Sequence, residues 1–184
     1  MCEQQLVEQC SPTLAGLKTG SLFSCPCQDQ ASLDDEIRSF NRRLAGKGLC
    51  VIPLRVQDGR ALIYVFRPVR LKKDLASPRA QDILTRCGYS GSCGQCVHRL
   101  MCRLAEGDAF PHEIGLFLSY PPEDVQGFIE NRPGTLKATG IWKVYHDVES
   151  AKETFARYRK CTDVYRAVYA RGTSIEHLTV PERA

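Results

Sequence analysis

The sequence predicts an α/β or α+β protein: a single domain, residues 1–184, with a mixed four-stranded sheet covered by helices. Three observations predict it. The chain has 184 residues, the size of about one domain, and a chain of that length buries roughly 70% of its unfolded surface without staples. Two runs rich in Val, Ile, Leu and Tyr, 49–56 and 60–66, flank Gln57-Asp58-Gly59, and Asp-Gly between such runs signals a hairpin. Apolar segments at 113–119 and 138–145 enclose a helical stretch opened by Pro121-Pro122. That spacing fits a parallel pair joined by a right-handed crossover, a βαβ unit.

The elements follow in order. Residues 2–9 are short and polar. Ser11-Pro12 reads as N-cap and first position of a helix to Lys18, with Gly20 as its stop. Residues 24–30 read as a loop. Ser32 is expected to cap a helix with Asp34, Asp35 and Glu36 in its first turn and Leu33, Ile37, Phe40 and Leu44 as its apolar stripe. After the hairpin, Pro68 closes the second strand. Ser77-Pro78 opens a helix to about Arg86, and residues 93–106 form another, with Val97, Leu100, Met101, Leu104 and Ala105 on one face. Asp147 caps a long final helix. Its residues Val148, Ala151, Phe155, Tyr158, Thr162, Tyr165 and Tyr169 recur at steps of three and four, one packing stripe. Ser174 starts a last turn.

Composition excludes whole classes. With 43% hydrophobic and 25% charged residues the chain is neither collagen, coiled-coil rod nor disordered. No run approaches the roughly 18 apolar residues of a membrane span, and Met1-Cys2-Glu3-Gln4-Gln5 does not read as an export signal. A net charge of +4 is mild for a nucleic-acid binder. The cations are uneven, however. Arg67, Arg70, Lys72 and Lys73 stand without an acid between them, and residues 152–171 are rich in Lys and Arg, a docking face for an acidic partner or phosphate-bearing ligand. Ten cysteines without an export signal point to free thiols in a reducing cytoplasm.

Three candidate sites emerge. The first is Cys10 with Lys18. Cys10 would sit just before a helix N-terminus, with Ser11 and Thr13 beside it and no acid between Gln9 and Gln28, so the dipole would favour a thiolate or a bound anion. The second is Cys87, Cys93 and Cys96, thiolates that could serve zinc or an iron–sulfur cluster. The helix face of Cys102 points away from Cys93, and the C-x-x-C is single, so no metal or cofactor is predicted; if one is held, these three cysteines hold it. The third is the C-terminal edge of the parallel pair, where Ser119, Tyr120, Tyr145 and His146 would meet a ligand. His112, at the opposite strand end, would stand apart. Nucleotide and hydrolase signatures are missing from the sequence.

At Cys10-Ser-Pro-Thr-Leu-Ala-Gly-Leu-Lys18, at Phe110-Pro-His-Glu-Ile-Gly-Leu-Phe-Leu-Ser-Tyr-Pro-Pro-Glu-Asp-Val-Gln-Gly-Phe-Ile-Glu130 and at Trp142-Lys-Val-Tyr145 the chain resembles an uncharacterised family, a domain of unknown function found mostly in anaerobic Gram-positive bacteria. The resemblance covers the whole chain, including Tyr158-Arg-Lys-Cys-Thr162. Such genes often lie near flavodoxin and ferrous-iron transport genes, which implies redox or iron physiology. The family often carries cysteines before Trp-Lys-Val-Tyr. Leu136-Lys-Ala-Thr-Gly-Ile141 has none here, which weakens a metal site there and leaves Cys10 and Cys161 as the thiols of interest. The expectation is a cytoplasmic accessory protein of redox or iron metabolism that binds an acidic partner, such as a flavodoxin, or a small anionic ligand. The alternatives are a thiol-dependent enzyme using Cys10 and a nucleic-acid-binding regulator using the final basic helix.

Overall fold

The computed structural model describes residues 2–106, 110–131 and 134–182; Met1, with which the polar start opens, lies outside them. In chain order the elements are α1 (Glu3–Leu14), β1 (Gly20–Pro26), α2 (Gln30–Leu44), a 3-10 turn (Ala45–Lys47), β2 (Cys50–Gln57), β3 (Arg60–Phe66), α3 (Pro68–Leu75), α4 (Pro78–Arg86), α5 (Cys93–Glu106), α6 (Ile114–Phe117), α7 (Pro122–Glu130), β4 (Ala138–Thr139), β5 (Lys143–Val144), α8 (Val148–Ala170) and α9 (Ile175–Leu178). The structure is mixed α/β, and the chain divides into two compact units, Met1–Arg70 with Tyr158–Ala184, and Leu71–Arg157. Among the described residues no helix is long and apolar enough to cross a membrane.

The first unit is built on a sheet of order β1-β3-β2, with both pairings antiparallel. The hairpin forms as the sequence predicts. Gln57 pairs with Arg60, and Asp58 (φ 52°) and Gly59 (φ 70°) take the two left-handed positions of a turn that matches strand twist. Pro53 is tolerated because β2 is an edge strand and its register shifts there. One sheet face carries Phe23, Cys25, Val51, Ala61, Ile63 and Val65, alternate residues of each strand, all buried. The α2 stripe Leu33, Ile37, Phe40 and Leu44 joins that core, as do Leu6, Cys10 and Leu14 of α1. The other face of β3 carries Tyr64 and Phe66, whose rings stack at 4.6 Å.

Three sequence expectations for this unit are corrected. The residues around Cys10 do not begin a helix: α1 already runs from Glu3, and Pro12 lies inside it. Ser11 is not its N-cap, since its hydroxyl donates back to the Val7 carbonyl. The helix stops at Gly16 (φ 70°) rather than at Gly20, and Leu17 and Lys18 N–H groups close on the Pro12 carbonyl. Residues 20–26, read partly as loop, form β1 and make β3 the central strand. Their Gly, Ser, Cys and Pro content hides the alternation that burial reveals. The α2 cap is Asp29, whose carboxylate accepts from the Ala31 and Ser32 N–H groups, one turn earlier than Ser32.

The mixed four-stranded sheet with a βαβ unit is also corrected. The unit Leu71–Arg157 contains no parallel pair among its described residues. Residues 114–117 are a helical turn buried on every side. A continuous apolar run fits a buried helix as well as a buried strand, so periodicity could not decide between them. The 138–145 segment folds back on itself as the hairpin β4–β5. Gly140 is required at its bend, because a Cβ there would lie 2.2 Å from the Phe155 ring. The α4, α5, α7 and α8 boundaries agree with the sequence reading within two residues. Asp147 caps α8 by accepting from Ser150 N–H. The strand before Pro68 ends at Phe66 as expected, and Pro68 also opens α3.

Candidate ligand-binding site

The specific stretch 110–130 and the Trp142-Lys143 pair meet in one place. Their side chains line an open cavity of about 270 Å³ in the Leu71–Arg157 unit. Ile114, Leu118 and Val125 are apolar lining, and all three are buried. Tyr120, Phe128, Trp142, Phe110 and His112 contribute rings. Tyr120 stacks on Trp142 with centroids 4.9 Å apart. His112 meets Phe128 edge-on at 4.6 Å, and the Lys143 ammonium lies 4.8 Å from the Phe128 centroid. His112 and Lys143 are exposed, so the cavity combines an apolar interior with basic groups in contact with solvent.

Two glycines permit this closeness. A Cβ on Gly115 would come 2.7 Å from Val125 Cγ2, and one on Gly127 would come 2.5 Å from Tyr145 Cγ. No real Cβ sits so close, so α6 approaches α7, and α7 approaches the β5 segment, only through glycine.

Asp124 holds the wall together. Its carboxylate is 3% exposed and sits in the first turn of α7, where the helix dipole favours negative charge. Oδ2 accepts from Trp142 Nε1 at 2.8 Å, and Oδ1 accepts from the Tyr145 and His146 N–H groups at 2.8 and 2.9 Å. The indole that lines the cavity is therefore fixed in orientation from behind, and Phe155 packs edge-on against it at 4.4 Å. A second buried carboxylate, Glu113, accepts from the Tyr89 hydroxyl at 2.8 Å and pairs with Arg103 at 3.2 Å. Burial, then that hydrogen bond, holds the Tyr89 phenol protonated well above its ordinary range.

The residues expected from sequence fall in different surroundings. Of Tyr120, Tyr145 and His146, only Tyr120 lines the cavity; the other two offer their backbone N–H groups to Asp124. His112, expected to stand apart, lines the same cavity as Tyr120, because the parallel pair that would have separated them does not exist. Cys10 and Lys18 do come together, in the other unit, but in the core. Cys10 is fully buried and Lys18 is 8% exposed. Burial pushes the Cys10 thiol up to about 12, against the lowering effects of Lys18 and of a hydrogen bond with Ser21. Burial pulls the Lys18 ammonium down to about 8, against the raising effect of Cys10. Thr13 Oγ1 lies 2.9 Å from Ser21 Oγ. The helix-start argument for a Cys10 thiolate thus fails on its premise, since Cys10 lies in the eighth position of α1.

Among the described residues no group of three or more His, Cys, Asp and Glu side chains comes together to hold a metal ion. Cys87 lies near Glu113 and Arg103, and burial raises its thiol. Cys93 and Cys96 lie near each other at the start of α5, both raised by burial. Cys102 faces His98 Nδ1 at 3.8 Å. Cys161 on α8 is pushed up to about 11 by burial.

Sequence reasoning did not assign a role to Phe110, Asp124, Phe128, Trp142 or Lys143. The signal was the motif stretch itself: Asp124 and Phe128 lie on a helix as expected, but placing 113–119 and 138–145 on strands hid that the segments meet.

Fold and site define a mixed α/β chain with an aromatic-lined cavity. The chain belongs to the family described as protein of unknown function (DUF3793), whose model matches residues 6–179. That range includes every cavity-lining residue. Searches among curated proteins and among solved structures return no match.

Proposed function

We propose that this chain binds a small, flat, largely apolar molecule bearing an anionic group, with its rings in the cavity of the Leu71–Arg157 unit and its anion toward Lys143. The observation that carries this reading is the composition of the cavity: five aromatic rings around an apolar interior, with exposed Lys143 and His112 beside it. Pockets of this kind, apolar with a few placed polar groups, are where small ligands bind. A dry cavity of roughly 150 Å³ takes one benzene ring; about 270 Å³ therefore suits a one- or two-ring ligand. Asp124, the buried carboxylate among the lining residues, already has both oxygens engaged by three protein N–H donors, so it is not open to coordinate a ligand's cation. The small anionic ligand expected from the sequence was placed on other residues, Cys10 and the basic segments, and shares with this reading only the sign of the charge.

Trp142 is the sole tryptophan of the chain, so intrinsic fluorescence reports this cavity directly. Titration with 2-naphthoate should saturate a change in Trp142 emission, and 2-naphthylmethylammonium should bind more weakly. Lys143→Ala should weaken 2-naphthoate about fivefold, the worth of roughly 1 kcal/mol for an exposed charge pair. A linear, unsaturable response, or stronger binding of the ammonium compound, would overturn the reading.

The wider setting, an accessory role in redox or iron metabolism with an acidic partner such as a flavodoxin, draws on the family resemblance and on the exposed cations Arg159, Lys160, Arg166 and Arg171. Arg67 contributes nothing to such a surface, being 1% exposed. Binding of a purified flavodoxin that weakens steeply with salt would support it.

A further inference from the structure

We propose that Cys93 and Cys96 form a redox-active dithiol that closes to an intramolecular disulfide at the start of α5. This inference is independent of the ligand reading. The helix start is fixed by a reciprocal pair: the Gln95 side-chain oxygen accepts from Ser92 N–H at 2.7 Å, and Ser92 Oγ accepts from Gln95 N–H at 3.4 Å. Cys96 N–H then closes on the Ser92 carbonyl at 2.9 Å, which makes Cys93 the first helical residue and Cys96 the fourth. Residues three apart on an α-helix have Cα atoms about 5 Å apart, within the roughly 4.4–6.8 Å that a disulfide spans. Both cysteines are free thiols.

The two thiols are unequal, as an attacking and a resolving sulfur need to be. Cys96 is 4% exposed. Cys93 is half-buried and flanked by exposed Ser92, Gly94 and Gln95. An added Cβ on Gly94 would meet nothing closer than Ser92 Oγ at 4.0 Å, so the surface next to Cys93 is uncrowded. Burial and then the neighbouring Cys96 raise the Cys93 thiol above its ordinary range, and the Lys72 ammonium works against them. The N-terminal end of α5 acts in the same direction as Lys72.

With a low-molecular-weight disulfide such as glutathione disulfide as oxidant, the Cys93 thiolate attacks one sulfur, forms a mixed disulfide and releases one glutathione thiolate. Cys96 then gives its proton to water or buffer, and its thiolate attacks Cys93 Sγ, releasing the second glutathione. The protein loses two thiol hydrogens and the oxidant is reduced to two thiols. Cys87 has other neighbours: Arg103 donates to its carbonyl at 2.7 Å, and Glu113 lies beside its thiol.

The test uses the full chain, reduced, then equilibrated with a glutathione disulfide and glutathione buffer, acid-quenched, alkylated and peptide-mapped. The expected result is a peptide spanning 87–99 with Cys87 alkylated and Cys93 joined to Cys96. Cys96→Ala should instead trap glutathione on Cys93, and Cys87→Ser should leave the 93–96 link intact. Alkylation of both Cys93 and Cys96 under a buffer that oxidises dithiothreitol would overturn the proposal. So would a link from Cys87 to either of them.

Discussion

In the Met1–Arg70 and Tyr158–Ala184 unit, the most buried charge is Arg67, and four carbonyls surround it: Thr13, Leu14, Lys47 and Val180 accept from its guanidinium at 2.8–3.3 Å. In the Leu71–Arg157 unit, the buried charge Asp124 instead gathers three N–H donors from residues 142–146. Both groups satisfy polar ends that packing would otherwise strand: Arg67 the last carbonyls of α1, Asp124 the turn after β4 and β5. They differ in what lies next to them. Arg67 ties chain segments to one another inside a core, and Cys10 within α1 and Lys18 after it are likewise enclosed. Asp124 backs a tryptophan whose ring lines a cavity. The comparison teaches that burial of a titratable group does not by itself mark a function. The informative feature is whether the group orients something that a ligand can touch.

Variants sharpen that contrast. Arg67→Ala should have the largest effect, a loss of about 3–5 kcal/mol in a urea titration, because it leaves several buried carbonyls without donors. A loss near zero would mean water replaces the guanidinium, and Arg67 is no clamp. Asp124→Ala should cost about 2–4 kcal/mol by the same reasoning applied to three donors. It should also shift Trp142 emission and weaken 2-naphthoate, whereas a stability loss with unchanged binding would detach Asp124 from the cavity. Gly127→Ala should cost about 1–3 kcal/mol, since its methyl would overlap Tyr145; a neutral outcome would show that the α7 approach to β5 yields easily.

The smallest effect at neutral pH concerns the enclosed pair. Cys10 should alkylate far more slowly than exposed Cys2 near pH 7, and peptide mapping after brief iodoacetamide treatment measures this. Faster labelling at Cys10 would restore it as a reactive thiol. The pH dependence has a definite sign. Cys10 holds its proton to about 12 in the folded chain but to only 9.0 when unfolded, so between these values the unfolded state binds fewer protons and stability falls as pH rises. Lys18 acts oppositely: it loses its proton near 8 when folded and near 10.5 when unfolded, so stability rises with pH over that window. Above about 10.5 the Lys18 gain is complete, while the Cys10 contribution still falls. So do those of Tyr89, Cys161 and Tyr165, whose protons burial also holds above their ordinary ranges, so stability should decline. Cys10→Ala should make that alkaline decline shallower in a pH series of urea midpoints, leaving the part due to the other buried thiols and phenols; an unchanged slope would take Cys10 out of it.

Most helices were legible. The α2 stripe Leu33, Ile37, Phe40 and Leu44 is buried as its spacing implies. On α8, Ala151, Phe155 and Tyr158 are buried while Thr162, Tyr165 and Tyr169 are half-buried, so the stripe holds but its burial thins along the chain. On α5 the same reasoning placed Val97, Leu100 and Leu104 correctly but not Met101 and Ala105, which are half-buried and exposed. The candidate site was legible as residues and not as a place. The 110–130 stretch and Trp142-Lys143 stood out, but reading 113–119 as a strand put Tyr120 and His112 at opposite ends of an element that does not form.

By itself the sequence determined what local chemistry decides: the Asp58-Gly59 hairpin, the proline-opened starts of α4 and α7, the Asp147 cap, and the apolar periodicity of α2 and α8. Each depends on residues within a few positions of one another, where propensity and spacing act directly. Tertiary structure alone decided the rest. Trp142 and Asp124 are 18 residues apart, and Arg67 and Val180 are 113 apart. Pro12 inside α1 and β1 as a partner of β3 likewise run against local preference. Their physical cause is the same in each case. A buried polar group or an apolar run takes whatever partner packing brings within reach, and no local pattern records which distant segment that will be.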